Sequence, residues 1–442
     1  MNFVHSIRQA MVWVNQHSTQ NYITVSDKTP FPYNEVTGYF IPTLLTYGFK
    51  EKADVFAKGL VECQSADGSW TAHRNQGNDN NAYVFDVAQI IDGLSEYKEL
   101  YSVQLQKAVE WVFKNLQTAT YYPDDGKVHS YVRVLYALQK AGCDSGWLKE
   151  HLYSDKVYQF NVLSHFYGYA FEGCARLGFD CKPFIDEVKK YNGMVPERPG
   201  LSSFCFVGLA QIALSLFLVG EYELGMKILN NLPVFQSQNG GFYGSNGKYF
   251  PKEQISWAPK FYLDAFWEAQ RLWFVNNLHI FPYKLENAAE DVRFKYLQRY
   301  VHPNQKVLDV GCGKGRYINE LDCDRYACDI ADASKYVSAK FSVGSCLRLP
   351  YADQTFDVVF CNEVLEHAIF VDNAIRECLR VLKPEGQLIV IDKDKAYGKD
   401  ELHFGEEWLD FKELEKDYKA EITQLNQDNL AYPFFAARIV KQ

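Results

Sequence analysis

The chain has no Cys-x-x-Cys pair and no His/Cys cluster at the spacing of a zinc site, although it carries 11 cysteines in 442 residues. An odd number of scattered cysteines speaks against a disulfide framework and fits a reducing compartment, so a cytoplasmic protein is expected. There is no excess of positive charge. The formal net charge of −9 argues against nucleic acid or an anionic membrane as the main partner. Long apolar runs are also lacking. The longest, around Phe204 to Val219, is interrupted by Gly208 and Gln211; it is too short and too polar for a membrane span and reads as a buried helix. Residues Met1 to Asn15 lack a charged n-region and a long apolar h-region, so they do not read as a signal peptide.

What is present is core-forming material. Hydrophobic residues make up 47% of the chain, enough for two or three domains, or two if one is a large array with a single core. Aromatic residues reach 16%, with 30 Tyr and 31 Phe. They fit either aromatic-lined cavities for sugars and apolar ligands or large helix–helix cores.

From the start to about Asn276, apolar residues recur at i, i+3, i+4 and i+7 in twelve segments. Glu35–Phe49, Ala82–Tyr97, Asn161–Leu177, Ser203–Val219 and Ser256–Val275 are apolar on nearly all sides, whereas Lys52–Gln64, Ser102–Gln117 and Tyr222–Asn231 keep a polar face. Alternation of buried and half-buried helices suggests two concentric rings, six hairpins closed into an (α/α)6 toroid; an open solenoid is the competing arrangement. Two loops favour closure. Gln64-Ser-Ala-Asp-Gly-Ser-Trp70 and Gln236-Ser-Gln-Asn-Gly-Gly-Phe242 share the pattern Q-x3-G-x-(W/F), each after an outer helix. They resemble the QW-type repeats of terpenoid cyclase and prenyltransferase toroids, in which the Gln caps a helix end and the aromatic ties neighbouring hairpins together. The acidic DxDD motif of the class II cyclases is absent, as is the prenyltransferase zinc triad, so neither of those activities is expected. The segments Glu35–Pro42, Phe85–Gln89 and Trp257–Asp264 look similar to toroid proteins associated with surface-polysaccharide synthesis.

Helical pattern ends near Asn277. Leu278–Lys284 reads as a connector, and a helix from Glu286 to Tyr300 leads into the next domain. Strands are expected at Lys306–Val310, Arg325–Ile330, Lys340–Val343, Asp357–Cys361 and Gly386–Asp392, followed by an antiparallel hairpin of Lys419–Leu425 and Phe434–Val440. Five alternating β/α units and a hairpin predict a doubly wound α/β sheet of the Rossmann-like type with one antiparallel strand. The expected division is a toroid over 1–277, a connector and leading helix over 278–296, and an α/β domain over 297–442.

The first strand runs into Asp309 and then glycines at 311, 313 and 315, where backbone can approach a ligand closely at a helix N-terminus. A dinucleotide fingerprint would need Gly where Arg316 stands. Asp329, at the end of the next strand and 20 positions on, can accept both ribose hydroxyls of a nucleoside. These two signals fit either NAD or S-adenosylmethionine. The third separates them. Leu349-Pro-Tyr-Ala-Asp-Gln-Thr-Phe-Asp-Val-Val359, Cys361-Asn-Glu-Val-Leu-Glu-His367 and Arg380-Val-Leu-Lys-Pro-Glu-Gly-Gln-Leu-Ile-Val390 strongly resemble, in order and spacing, the class I S-adenosylmethionine-dependent methyltransferases of small-molecule type.

That resemblance implies roles. Gly311 and Gly313 would face the methionine portion of the cofactor, and Asp309 would order that loop. Asp329 would hold the ribose, with Ile330 beside the adenine. Cys346 and Leu347 would line the adenine edge, and Asn362 and Glu363 would sit near the sulfonium. The family often has Asp where this chain has Ser345; a hydroxyl can accept from the adenine amino group, but more weakly. His367 is the candidate general base for a hydroxyl acceptor, with a helix-face structural role as the alternative. No metal ligand set is expected.

In a toroid, the inner helices would bring Glu35, Tyr39, Asp86, Arg133, His165, Lys260 and Asp264 towards a central cavity, Arg133 and Lys260 facing an anionic or hydroxyl-rich ligand. The expected function is therefore methyl transfer to a sugar or glycan-linked acceptor held in part by the toroid. The alternatives are a natural-product methyltransferase with a degenerate terpenoid-type toroid, or a toroid serving as a protein-interaction platform.

Overall fold

The computed structural model describes residues 3–71, 81–119, 124–285, 288, 290–398, 404–426 and 433–442. The chain divides into two compact units, Met1–Leu45 with Phe49–Ala269, and Thr46–Gly48 with Gln270–Gln442. The division falls inside a helix, not in the connector that follows it.

The first unit is helical: α1 (Phe3–Gln16), α2 (Asn34–Thr46), α3 (Lys50–Glu62), α4 (Val84–Leu94), α5 (Ser102–Asn115), α6 (Asp124–Lys140), α7 (Ser145–Leu152), α8 (Ser164–Leu177), α9 (Lys182–Lys190), α10 (Phe206–Leu218), α11 (Tyr222–Leu229) and α12 (Trp257–Asn277). All twelve segments marked by periodicity form helices. The largest boundary difference is at α6, where the periodicity marks Ser130–Ala141 but the helix starts at Asp124.

The two kinds of helix are distinct. Every residue of α4 is buried, whereas α3 buries only the stripe Ala53, Phe56, Ala57, Gly59 and Leu60. Successive buried helices touch. A side chain at Gly38 of α2 would collide with the backbone of Ile90 on α4, and one at Gly93 with the backbone of Gly38, so these helices cross at glycine contact. The first and last segments of the unit also meet: Ser6 Oγ lies 2.8 Å from Tyr262 Oη, and Thr43 Oγ1 donates to Asp264 Oδ1 at 2.7 Å. Both Q-x3-G loops act as ties. Gln64 Nε2 donates to Gly68 O and Gln104 O, and Gln236 Nε2 to Gly240 O and Ser6 O.

The second unit contains α13 (Val292–Gln298), which is shorter than expected because Asp291 caps it by accepting the amides of Arg293 and Phe294. Residues 286, 287 and 289 of the expected helix lie outside the described residues. The strands are β1 (Lys306–Val310), β2 (Asp324–Asp329), β3 (Lys340–Val343), β4 (Phe356–Asn362), β5 (Leu382–Lys393), β6 (Glu421–Leu425) and β7 (Phe434–Val440), in the order β3-β2-β1-β4-β5-β7-β6. The first five pair in parallel; β7 is antiparallel to both β5 and β6.

The expectation of five β/α units fails. Among the described residues that follow the strands, only α14 (Val371–Val381), after β4, and α15 (Phe411–Tyr418), after β5, are α-helices. The β1–β2 connection holds turns and a single 3₁₀ turn, Ile318–Glu320. Gly311, Gly313 and Gly315 all have positive φ, which keeps that stretch out of a helix. One core packs Leu297, Val307, Ile318, Val358, Phe360, Ile389 and Ala436 together.

Candidate active site

Parallel pairing sets the carboxyl ends of β1, β2, β3 and β4 along one edge, with Asp309 beside Ala327, Asp329 beside Val343 and Val310 beside Cys361. In open α/β sheets this edge is where ligands bind. The Gly-rich loop is folded back on β2: the amides of Gly311 and Cys312 both donate to Cys328 O, at 2.8 and 3.1 Å. Gly311 has φ +69°, and a side chain there would run into Val364 after β4, so only glycine brings the loop this close. No α-helix follows, so the site has no helix dipole behind it.

Asp329 is 9% exposed and takes two amides, Gly313 N–H on Oδ2 at 2.8 Å and Ala331 N–H on Oδ1 at 2.9 Å. Burial raises its pKa, against the pull of those amides. Each oxygen keeps a lone pair for a ribose hydroxyl. Asp309 is buried; burial and the neighbouring Asp329 push its carboxyl well above the usual range. The side-chain hydrogen bond that holds the loop is accepted by Asp329. Ile330 is half-buried after β2 and Leu347 is buried. Ser345 Oγ accepts the Leu347 amide at 3.1 Å, and burial pushes the Cys346 thiol up to about 12, so it lines the site as a neutral group.

At the end of β4, Glu363 adopts φ +55°, a left-handed conformation uncommon outside glycine, and its Oε2 accepts Arg293 Nη1 at 2.7 Å. Arg293, on α13, is 6% exposed and also pairs with Asp291 at 3.2 Å. Its Nε and the Oδ1 of Asn362 are buried with no hydrogen-bond partner among the described residues. Sequence reasoning missed Arg293 because nothing local marks an arginine on a leading helix as part of a strand-end site. His367 is 11% exposed, with Nε2 3.6 Å from Glu366 Oε1 and its ring edge-on to Phe274. Beside it, Lys393 at the end of β5 meets Glu366 at 2.7 Å and Glu406 at 3.3 Å. Among the described residues, no group of three or more His, Cys, Asp or Glu is arranged to hold a metal ion.

The helical unit corrects the expected cavity. Glu35, Asp86 and His165 lie in the first turns of α2, α4 and α8, but Arg133 is the tenth residue of α6 because that helix starts early. It is 2% exposed and bonds Asp92 at 2.9 Å, Glu172 at 3.1 Å and Gln89 at 3.1 Å, so its charge is matched inside the unit rather than offered to an anion. Lys260 likewise pairs with Asp264 at 2.9 Å and stands 4.1 Å from the centre of the Phe261 ring and 5.1 Å from that of Tyr39. Glu35 accepts Tyr33 Oη–H, and His165 shares a 2.9 Å hydrogen bond with Gln211 while burial drops its pKa to about 3. Asp86 is buried. Asp92 and Glu172, which the sequence did not single out, are the acids that matter to Arg133.

A glycine loop folded onto β2, a buried carboxylate at the end of β2 and a strand end with orphaned polar atoms lie along one edge of the sheet, and the sheet order with its antiparallel β7 is methyltransferase-like. Residues 308–390 match the family model described as "Methyltransferase domain". An uncharacterized protein of Methanocaldococcus jannaschii is 33% identical over 159 residues, 34% of this chain and 68% of that protein. The ubiquinone biosynthesis O-methyltransferase of Xanthomonas axonopodis is 32% identical over 124 residues, 25% of this chain and 52% of its own. The chain thus spans about half the length of several of the curated relatives it matches. A SAM-dependent methyltransferase structure from Thermotoga maritima is 19% identical, with a TM-score of 0.31, over 38% of this chain and 98% of that chain. Residues 308–390 thus lie in an S-adenosylmethionine-dependent methyltransferase domain, and S-adenosylmethionine is its cofactor.

Proposed function

We propose that this methyltransferase acts on a hydroxyl group of a sugar or glycan-linked acceptor held in part by the helical unit. The observation that carries the hydroxyl is His367: an imidazole on the turn after β4, directly following Glu363-Val-Leu-Glu366, supplies a proton acceptor that a hydroxyl needs in order to attack. The relatives named ubiquinone biosynthesis O-methyltransferases also point to oxygen. The cofactor supplies a methyl group on a sulfonium. Gly311 and Gly313 admit its amino-acid end to the backbone. Arg293 is placed to attract the carboxylate of that end, Glu363 and Asn362 its ammonium, and Asp329 the ribose.

The sugar reading rests on the helical unit. We infer that it closes as an (α/α)6 toroid, supported by the Gln236–Ser6 tie between its last and first hairpins and by the Thr43–Asp264 bond. Rings from four separated segments follow one another: Tyr33 and Trp257 at 6.0 Å, Trp257 and Phe250 at 5.4 Å, Phe250 and Tyr249 at 4.9 Å, Tyr249 and His165 at 5.8 Å. Flat apolar faces beside carboxylates suit a hydroxyl-rich ring. Among the described residues no helix is long and apolar enough to cross a membrane.

The test is transfer of tritiated methyl from S-adenosylmethionine to a panel of oligosaccharides, phenols and amines, with product hydrolysis to locate the methyl. O-Methyl sugars that disappear with His367→Ala support the reading; label on amines alone, or an unchanged rate in His367→Ala, overturns it.

A further inference from the structure

The buried groups behind His367 do not balance in charge. Glu366 is 2% exposed, Asp392 0%, Lys393 3% and Glu406 2%. Glu366 stands on the turn after β4, Asp392 and Lys393 end β5, and Glu406 precedes α15. The carboxyls of Glu366 and Glu406 converge on one ammonium: both lie within ion-pair distance of Lys393 Nζ, at 2.7 and 3.3 Å. Glu406 Oε1 also accepts Trp408 Nε1–H, at 2.9 Å. Asp392 accepts the amides of Glu366 and Lys393, at 3.3 and 2.9 Å. Glu363 is 3.9 Å from Lys393 but is matched by Arg293. Three acids therefore face one ammonium out of water, an arrangement that retains a proton. From α12, Gln270 donates to His367 O, and Phe274 covers the ring; neither is titratable.

We propose that Glu366 and Glu406 share one proton against Lys393, and that this pair acts as a positioning device for His367, letting Glu366 turn anionic when the imidazole takes a proton. The proposal rests on the reading of His367 as the base for a hydroxyl acceptor. In the step, the acceptor oxygen bonds the methyl carbon as the carbon–sulfur bond breaks, sulfur keeps the electron pair, and the hydroxyl proton passes to His367. The shared proton then moves from Glu366 to Glu406. The imidazolium is left 3.6 Å from an anionic oxygen, and no proton need enter from water during the step. The direction of the titrations agrees: burial and Asp392 push Glu366 up to about 11 against the pull of Lys393, whereas Glu406, despite burial, is lowered by Lys393. Asp392, raised by burial to about 6, stays largely ionised at neutral pH.

The test uses the full chain as wild type, Glu366→Gln and Glu406→Gln, with infrared spectra for protonated carboxyl and nitrogen-15 resonances of His367 across pH, assigned with His367→Gln. At pH 7 the wild-type-minus-variant difference spectrum should show a buried carboxylic-acid band for both variants, since each removes one partner of the shared proton while Asp309, whose carboxyl burial also raises, contributes equally to all three proteins. The His367 midpoint should fall by roughly one pH unit in Glu366→Gln, which cannot become anionic, and should not fall in Glu406→Gln, where Glu366 is permanently ionised. A merely structural pair predicts no such opposition. No acid band in either difference spectrum, or equal His367 shifts in both variants, overturns the proposal; if Glu366→Gln melts too early to study, the Glu406→Gln difference band and midpoint decide it alone. Failure of the hydroxyl reading is distinct: His367→Ala would then transfer methyl normally whatever the spectra show.

Discussion

The two side-chain oxygens of Asp329 hold two backbone amides at once, Gly313 on one side and Ala331 on the other. The residue that would hold the ribose also pins the glycine loop, so cofactor and loop depend on one carboxylate. Asp329→Ala should weaken S-adenosylmethionine binding by about 2–4 kcal/mol, the cost of losing charge-assisted hydrogen bonds and loop order together. Asp329→Asn, which keeps one acceptor, should lose less. Calorimetric titration of both variants checks this; an unchanged Asp329→Ala would remove the residue from the site.

Gly311→Ala should hurt binding through shape alone. The added methyl would meet Val364 and would sit at φ +69°, where a non-glycine residue is disfavoured by about 1–2 kcal/mol. Gly311→Ala with Val364→Ala relieves the collision but not the backbone, so affinity should return in part. Full return, or no loss in the single variant, would show that the loop does not need this approach.

Arg133→Met should lower the melting temperature without touching the cofactor. Removing it leaves Asp92 and Glu172 buried beside fewer cations, and breaking a buried pair from one side costs about 3–5 kcal/mol. Thermal melting and S-adenosylhomocysteine titration together distinguish this from a ligand role. An unchanged melt with lost acceptor methylation would restore Arg133 to the acceptor site.

The same network sets acid stability. Burial would raise Glu172, but Arg133, Arg176 and Lys260 outweigh it and hold its pKa at about 2; Lys140 and Arg133 likewise keep Asp92 below the usual range. Both folded values are depressed. The stability they contribute is therefore complete above the ordinary carboxylate range near pH 4 and is lost as pH falls towards 2. Glu172→Gln should flatten the fall of melting temperature across that window, and an unaltered slope would show that other groups govern it.

Much of this protein could be read from its sequence by itself. Repeats of 3.6 residues marked all twelve helices of the first unit, because burying one face of a helix leaves a periodic trace in the chain. Glycines spaced by two after an apolar strand, an acid at the next strand end and the 349–390 motifs identified a methyltransferase, because each lies within one contiguous strand–turn segment. Only the tertiary structure decided that Arg133 is spent on Asp92 and Glu172, since its partners lie 41 and 39 residues away on neighbouring helices. It also decided that Arg293 reaches Glu363, 70 residues on, and that Lys393 sits between Glu366 and Glu406. A charged side chain looks the same in sequence whether it meets water, ligand or counter-ion. Which of these it meets is settled by packing, where an unmatched buried charge is too costly to persist.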